Sequence, residues 1–378
     1  MRTLGNTVAE SASAVQARLA RTARILPPVH AVGASREQIA PMTAASRFAT
    51  DGVFANREAA AQVQGPDMSV MIDMMRRRGR PGHRVPVLRP EFSGEPGALS
   101  ATWLGHASMA VELDGVRIVT DPVLSDRCSP SQSIGPRRMH RAPLTAGELP
   151  PLDVVLISHD HYDHLDTPTV LTIALTQPNA IFVVPIGVAA HLISWGVDAA
   201  RIRQADWFEQ VDLTVRGTTI SFHAVPARHF SGRGLSRNLT QWVSWAAVGP
   251  QHRFFFSGDT GFTESYADTG AALGPFDLSL VAVGAYDPVW PDVHVDPEEA
   301  LVVHRLLNGD ERDALFVPIH WGTFNLARHS WADPVGRLTT EADRVGVDIC
   351  VPRPGATLVA HSRSGTAFSD PTWWERSA

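Results

Sequence analysis

The chain has 378 residues, 44% hydrophobic and 19% charged, with a formal net charge of −6. That is enough apolar material for one large folded unit or two medium ones. The acidic balance argues against nucleic acid as the main partner, because gripping a phosphate backbone needs a strongly basic surface.

All 33 basic residues are arginine, which reads as the coding bias of a GC-rich bacterium. Residues 1–98 read as an N-terminal extension without strong strand signals. Within it, 13–26 (SAVQARLARTARIL) sets Ala, Val, Leu and Ile against arginines. It is expected to form a helix that either caps the fold or lies on an anionic membrane surface. A second helix, MSVMIDMMRRR at 68–78, offers methionines to a core or to lipid chains and runs into the Pro/Gly-rich RGRPGHRVPVLRP. No apolar stretch reaches 18 residues, so no membrane span is expected. The N-terminus also lacks the continuous apolar core of a signal peptide. The expected location is cytoplasmic, with at most peripheral contact at the inner face of the membrane. Cys128 and Cys350 lie far apart outside any C-x-x-C pattern, as free thiols in a reducing compartment would.

From about residue 100 the texture changes. Short runs rich in Val, Ile and Phe alternate with turns and helical stretches. The predicted strands cover 101–113, 116–122, 153–158, 181–185, 219–227, 253–259, 279–285 and 314–320. Predicted helices lie near 166–176, 187–195, 262–272, 296–307 and 333–345, the fourth with Asp296 as its cap and Pro297 in its first turn. This pattern implies an α/β layered domain over 99–378, and sites in such folds gather at strand ends.

One strand, LDVVLIS, ends directly at His159, and His161, Asp163, His164 and Asp166 follow within seven residues. Imidazole and carboxylate together suit zinc or a similar divalent metal. In an extended loop His159 and His161 project to one side. A turn at Asp163-His164 then aims a second pair at a neighbouring position, so one loop can feed two ions. Three further strand ends carry His229, Asp259 and His320, and all are read as parts of one site.

The HxHxDH pattern with later His, Asp and His resembles the metallo-β-lactamase fold superfamily. The strings TWLGHAS, TDPVLSDRCSPSQSIGPRR, LPPLDVVLISHDHYDHLD, RFFFSGDTG, HVDPEEA and IHWGTFNLA resemble, within it, the phospholipases D that hydrolyse N-acyl-phosphatidylethanolamine. The similarity covers roughly 86–345. It implies a four-layered αββα sandwich and two Zn2+ ions. His159, His161 and His229 would hold one ion, Asp163, His164 and His320 the other, with Asp259 bridging. Asp121, at the strand end TDP, resembles the aspartate that orients the ligand loop from behind. A hydroxide shared by the two ions would attack phosphorus in line.

Other assignments are softer. His294 is expected to contact phosphate or protonate the leaving group, or else to cap the next helix. Tyr162 is expected to touch substrate phosphate, and His106 either backs a ligand or is core. Trp290 and Trp321 line the site or pack. His140, His191, His223, His252, His304, His329 and His361 have no supporting context and are read as surface or packing. Two stretches depart from the family pattern: FSGRGLSRN after His229, with Arg233 and Arg237 shifted, and PDV before His294. Both are expected to face a substrate head group. The resemblance further implies a phospholipid or other phosphodiester substrate, a lipid-facing entrance and a homodimer. Competing readings are a lactonase or β-lactamase attacking a carbonyl, and a non-catalytic lipid-binding protein.

Overall fold

The computed structural model describes residues 28–59, 79–234, 236–309 and 313–378. The helices expected at 13–26 and 68–78 fall outside them.

Two mixed sheets form the centre of the domain. The first contains β1 (Leu99–Gly105), β2 (Ser108–Leu113), β3 (Val116–Thr120), β4 (Val154–Leu156), β5 (Ile181–Pro185) and β6 (Ile202–Ala205). The second contains β7 (Gln210–Val215), β8 (Thr218–Pro226), β9 (Val243–Val248), β10 (Arg253–Phe256), β11 (Leu278–Ala282) and β12 (Leu315–Ile319). A last strand, β13 (Thr357–Val359), returns to the first sheet, giving the orders β13-β1-β2-β3-β4-β5-β6 and β12-β11-β10-β9-β8-β7. Each sheet begins antiparallel and turns parallel, at β3–β4 in one and β10–β11 in the other. Parallel neighbours need crossovers. In the first sheet the segment 121–153 makes the β3–β4 crossover without an α-helix, and helices α3 (Thr167–Thr176) and α4 (Val188–Ser194) make the next two. In the second, α5 (Tyr266–Leu273) and α6 (Pro297–Asn308) do so, and α7 (Asp333–Val345) follows β12.

The predicted strands read as unbroken apolar runs because both faces of each sheet are covered. Side chains alternate along a strand, and β4 shows the result. Val154 and Leu156 enter the large core that also holds Ile220, Phe254 and Val281 of the second sheet. Val155 and its successor Ile157 join Val170 and Ile173 of α3 and Val188 and Leu192 of α4. The fold is therefore the expected layered α/β sandwich, two sheets flanked by helices. Asp296 caps α6 by accepting from Glu299 N at 2.9 Å, and Pro297 occupies the first turn.

Two details differ from the sequence reading. The run 101–113 is two strands, because Gly105 (φ 105°) and His106 (φ 56°) both take left-handed conformations and reverse the chain. Strands β6, β7, β9 and β13 were not anticipated. The outer strand β7 is never more than half-buried, so its apolar signal is weak, and β13 has only three residues.

Part of the extension is built onto the domain. Helices α1 (Pro28–Val32) and α2 (Arg36–Thr43) precede the sheets. Ala34 and Ile39 pack on Ala190 of α4, and Thr43 Oγ1 donates to Leu239 O at 2.9 Å. Among the described residues, no helix is long and apolar enough to cross a membrane.

Phe255 sits in the middle of β10, fully buried, with its ring 5.5 Å from Tyr266 of α5 and 5.6 Å from Phe276. Phe255→Ala is expected to cost about 3–5 kcal/mol, the usual penalty for emptying an aromatic core position. Urea denaturation should show this as a lower midpoint with an unchanged slope.

Candidate metal centre

The strand ends deliver the candidate ligands to one place. The segment after β4 runs extended through His159 to His161. It then turns, with His164 N and Leu165 N donating to His161 O at 3.0 and 2.8 Å. His229 follows β8, Asp259 follows β10, and His320 follows β12.

Four overlapping groups of possible ligand atoms result among the described residues, and the two larger ones, around His161 and around Asp163, organise the site. In the first, His161 Nδ1 lies 2.9 Å from His159 Nε2 and 3.2 Å from His229 Nε2. Asp259 Oδ2 is 3.9 Å from His159 Nε2 and 3.6 Å from His229 Nε2. In the second, Asp163 Oδ2 stands 3.6 Å from His164 Nε2 and 3.3 Å from His320 Nε2. Asp259 reaches this group too, with Oδ2 3.1 Å from His164 Nε2 and Oδ1 3.1 Å from His320 Nε2. Ligand atoms on a tetrahedral ion with bonds of about 2.0–2.2 Å stand roughly 3.4 Å apart. Both groups have that spacing, and Asp259 lies between them.

The outer contacts fix which ring nitrogen faces inward. Asp121 Oδ2 accepts from His164 Nδ1 at 2.6 Å, and its two oxygens also take Ser158 N at 2.7 Å and Ser158 Oγ at 2.5 Å. Ser158 Oγ in turn accepts from His159 Nδ1 at 2.9 Å. Val293 O accepts from His229 Nδ1 at 3.0 Å. Three imidazoles thus commit Nδ1–H outward and leave the Nε2 lone pair for the centre, the arrangement that orients metal-binding histidines. His106 is the corresponding brace for Asp163. Its Nδ1 has no partner, so Nε2 carries the proton and donates to Asp163 Oδ2 at 3.0 Å.

Charge is the main test of whether a cation fits. Burial alone would raise the carboxyls of Asp163 and Asp259, but the surrounding imidazoles, His164 first, hold both well below the usual carboxylate range. Burial likewise opposes charge on His320, yet Asp259 and Asp163 outweigh it and lift the imidazole to about 9. His159 and His229 go the other way, held well below the usual range and neutral by burial first and then by neighbouring imidazoles. Two buried carboxylates with no guanidinium against them, among the described residues, demand positive charge. A divalent cation supplies it and also gives partners to His164 Nε2 and Asp259 Oδ1, buried atoms without a hydrogen bond. The residues fit a metal.

The backbone is bent to make this centre. His106, Asp121 and His320 all have positive φ, at 56°, 32° and 60°. Such conformations cost on the order of 1 kcal/mol or more and cluster at functional sites. Gly258, at φ 54°, has no alternative: a Cβ there would lie 2.5 Å from Ser158 Cβ, on the residue that holds His159.

His294 joins the cluster, its Nδ1 3.9 Å from Asp259 Oδ2 and its ring stacked 5.1 Å from His320. It does not cap α6, which is the work of Asp296. Tyr162 is not among the converging groups; its hydroxyl donates to Arg233 O at 2.5 Å. Asp166 caps α3. Trp321 is core, stacked 5.4 Å from Trp103, and Trp290 Nε1 donates to Ala285 O at 2.9 Å. Cys128 and Cys350 are free and buried.

The expectation that Arg233 faces a substrate head group is corrected by its burial. Its Nη1 donates to Asp160 O and Leu165 O, both at 2.7 Å, and its Nη2 to Ala31 O at 2.7 Å. The guanidinium also lies 4.2 Å from the Tyr162 ring centre. It ties both ends of the ligand loop to the extension. Asp160 is held from the other side by Gly232 N at 2.7 Å, Thr240 Oγ1 at 2.8 Å and His191 Nε2 at 3.3 Å. Asn56 brackets His229, accepting from its N at 3.0 Å and donating to its O at 2.8 Å. None of these braces was found from sequence, and His191 had been read as packing. Arg237 remains exposed, 5.3 Å over Phe230, whose ring lies 4.6 Å from that of His161.

Residues 116–321, more than half of the chain, match the model of the beta-lactamase superfamily domain. The chain belongs to the beta-lactamase superfamily. As a member of it, with these His/Asp clusters, it is a metal-dependent hydrolase. An uncharacterized protein of Mycobacterium tuberculosis is 44% identical over 331 residues, covering 86% of this chain and 87% of its own. The N-acyl-phosphatidylethanolamine-hydrolyzing phospholipase D 1 of Caenorhabditis elegans is 40% identical over 241 residues, 62% of this chain and 66% of that enzyme. Among solved structures, an isothiocyanate hydrolase from Delia radicum gut bacteria superimposes with a TM-score of 0.54 at 19% identity, covering 69% of this chain and 99% of that one. That likeness concerns the superfamily fold alone.

Asp121→Asn keeps the shape of the brace but removes its charge from His164. Metal affinity is expected to fall about 10–100-fold, the usual loss when such a partner is changed. Competition with a chromophoric chelator measures it, and unaltered affinity would remove Asp121 from the centre.

Proposed function

We propose that this chain is a zinc-dependent phosphodiesterase of phospholipase D type, cleaving N-acyl-phosphatidylethanolamine or a related glycerophospholipid. The observation that carries the reading is the convergence of seven ligand groups at tetrahedral spacing, with one carboxylate, Asp259, reaching both groups. Its substrate side rests on the similarity to the worm phospholipase.

In this reading His159, His161 and His229 hold one ion and Asp163, His164 and His320 the other, with Asp259 between. Two bound zinc ions supply an activated water, its pKa lowered to about 7, and Lewis-acid polarisation of the phosphoryl oxygens. The protein's part is to hold the donors still. Asp121 and Ser158 fix His164 and His159, His106 fixes Asp163, and Val293 O fixes His229. Substrate enters where the cluster meets solvent, since His161, Tyr162, Asp163, Phe230 and His294 are only half-buried. There His294 offers an unpartnered Nδ1 to the phosphate. Arg237 is the basic group of this rim. Tyr162 steadies the ligand loop through Arg233 and acts on substrate only indirectly. The phospholipid makes the enzyme a peripheral visitor to the membrane.

His161→Ala removes the imidazole central to the first group. The variant is expected to retain about one zinc per chain and to lose turnover by on the order of a thousandfold or more. Metal analysis beside hydrolysis of N-acyl-phosphatidylethanolamine, bis(4-nitrophenyl) phosphate, a lactone and a chromogenic cephalosporin tests both halves. Two zincs with full turnover in the variant would sink the ligand assignment. Preference for the lactone or cephalosporin in the parent protein would move the reaction from phosphorus to carbonyl carbon.

A further inference from the structure

Away from the metal centre, the described residues gather arginines around one groove. A groove of about 860 Å3 runs between residues 80–88 and 126–141. Arg80, Arg84, Arg137, Arg138 and Arg141 line it, against a single carboxylate, Asp126. In a chain of net charge −6 this is a local reversal of sign. Among the described residues, no ion pair joins any of the five guanidiniums to a carboxylate.

The arginines are graded by depth. Arg80, Arg84, Arg137 and Arg141 are exposed at the rim. Arg138 is only 8% exposed and forms part of the wall. Its donors reach only backbone oxygens: Nε to Ser125 O at 3.1 Å, and Nη2 to Val123 O at 2.7 Å and Leu104 O at 3.4 Å. Nη1 is buried and has no partner. Gly105 makes room for it, since a Cβ there would come within 2.8 Å of Nη1. Burial lowers the guanidinium to about 10, which still leaves it cationic at neutral pH. His140 beside it is neutral, pushed down to about 3 by burial and by the charge of Arg138. Arg138 forms no ion pair, and only the more distant Asp166 and Asp126 offset its charge, so it adds positive potential to the wall behind the four exposed guanidiniums, which are free to contact phosphate oxygens.

We propose that this groove is a binding site for a phosphate-bearing anion, distinct from the metal centre, with the phosphate among the rim arginines Arg80, Arg84, Arg137 and Arg141 and the charge of Arg138 in the wall behind it. The same chemistry is offered by the head group of an anionic phospholipid in a bilayer and by a soluble phosphate compound. The site is separable from hydrolysis, because neither Arg138 nor the rim touches a proposed ligand.

The test compares the full chain, loaded with metal, with an Arg80→Gln/Arg84→Gln/Arg141→Gln variant, whose changes lie at exposed positions. Co-sedimentation is measured with phosphatidylcholine vesicles alone and with phosphatidylglycerol added. Thermal shift is measured with inorganic pyrophosphate. Binding only to the phosphatidylglycerol vesicles, weakened about tenfold or more in the variant and by added salt, identifies a lipid head-group site. A pyrophosphate shift that the variant loses, without sedimentation, identifies a soluble ligand. Turnover of bis(4-nitrophenyl) phosphate should be equal in both proteins. The proposal is overturned if neither probe separates parent from variant. Failure of the phosphodiesterase reading would show in turnover alone and leave the binding result intact.

Discussion

Everything at the centre of this molecule depends on keeping two carboxylates, Asp163 and Asp259, ionised in a place from which water is largely excluded. Burying charge is expensive unless it is paired. Here the pairing is a ring of imidazoles at 3–4 Å, and most of those rings are held neutral by burial. Without a metal, protons on His164 and His320 balance the two carboxylates; a divalent cation replaces those protons and takes up the Nε2 lone pairs as well. The donor set, its spacing and its sign therefore point to the same conclusion by three separate routes.

The sandwich is the device that makes such a cluster affordable. His159, His229, Asp259 and His320 sit just beyond strands whose side chains are locked between two layers, so the backbone that carries them cannot relax, and His161, Asp163 and His164 follow in the turn after His159. Positive φ at His106, Asp121 and His320 is tolerated for the same reason. Core packing on β1, β3 and β12 over-determines the turn that follows. The braces then settle the remaining freedom, ring orientation and tautomer, with Asp121 serving two ligands through one carboxylate and one serine. Stability stored in the sheets is in this sense converted into precision at the strand ends.

Legibility in the sequence follows the range of the interactions. The start of helix α6 could be read to the residue because its signal is local, an Asp cap followed by Pro. The dense segment His159–His164 was legible because four of six adjacent residues are ligand types that converge, and His229, Asp259 and His320 because each stands at the end of an apolar run. Of the braces, Asp121 was legible through the family resemblance, but the long-range ones were not. Arg233 bonds to Ala31, 202 residues away, and Asn56 to His229, 173 residues away. Neither pairing leaves a local pattern. Arg233 misled for a further reason: an arginine beside a ligand in a Gly/Ser-rich stretch suggests a solvent-facing loop, whereas its guanidinium is consumed by four backbone and side-chain oxygens. Strand β7 was missed because it is an outer strand with a half-wet face, which looks like loop.

These long-range braces also change what the extension is. A segment without strand signals would ordinarily be an appendage, removable without touching the chemistry. Here Ala31 receives the guanidinium that clasps Asp160 and Leu165, at the two ends of the ligand turn. Asn56 takes up both peptide groups of His229. His30 O accepts from Trp195 Nε1 at 2.7 Å, and Ala34 N donates to His191 Nδ1 at 3.0 Å, on the imidazole that faces Asp160. The first group of ligands is thus held by the sheet on one side and by the extension on the other, whereas the second group, around Asp163 and His320, is held by the sheet and the β1–β2 turn. The two halves of one metal centre are anchored in different parts of the chain. A disturbance of the extension reaches His161 and His229 first and His164 only through Leu165, so it should act on the two groups of ligands unequally.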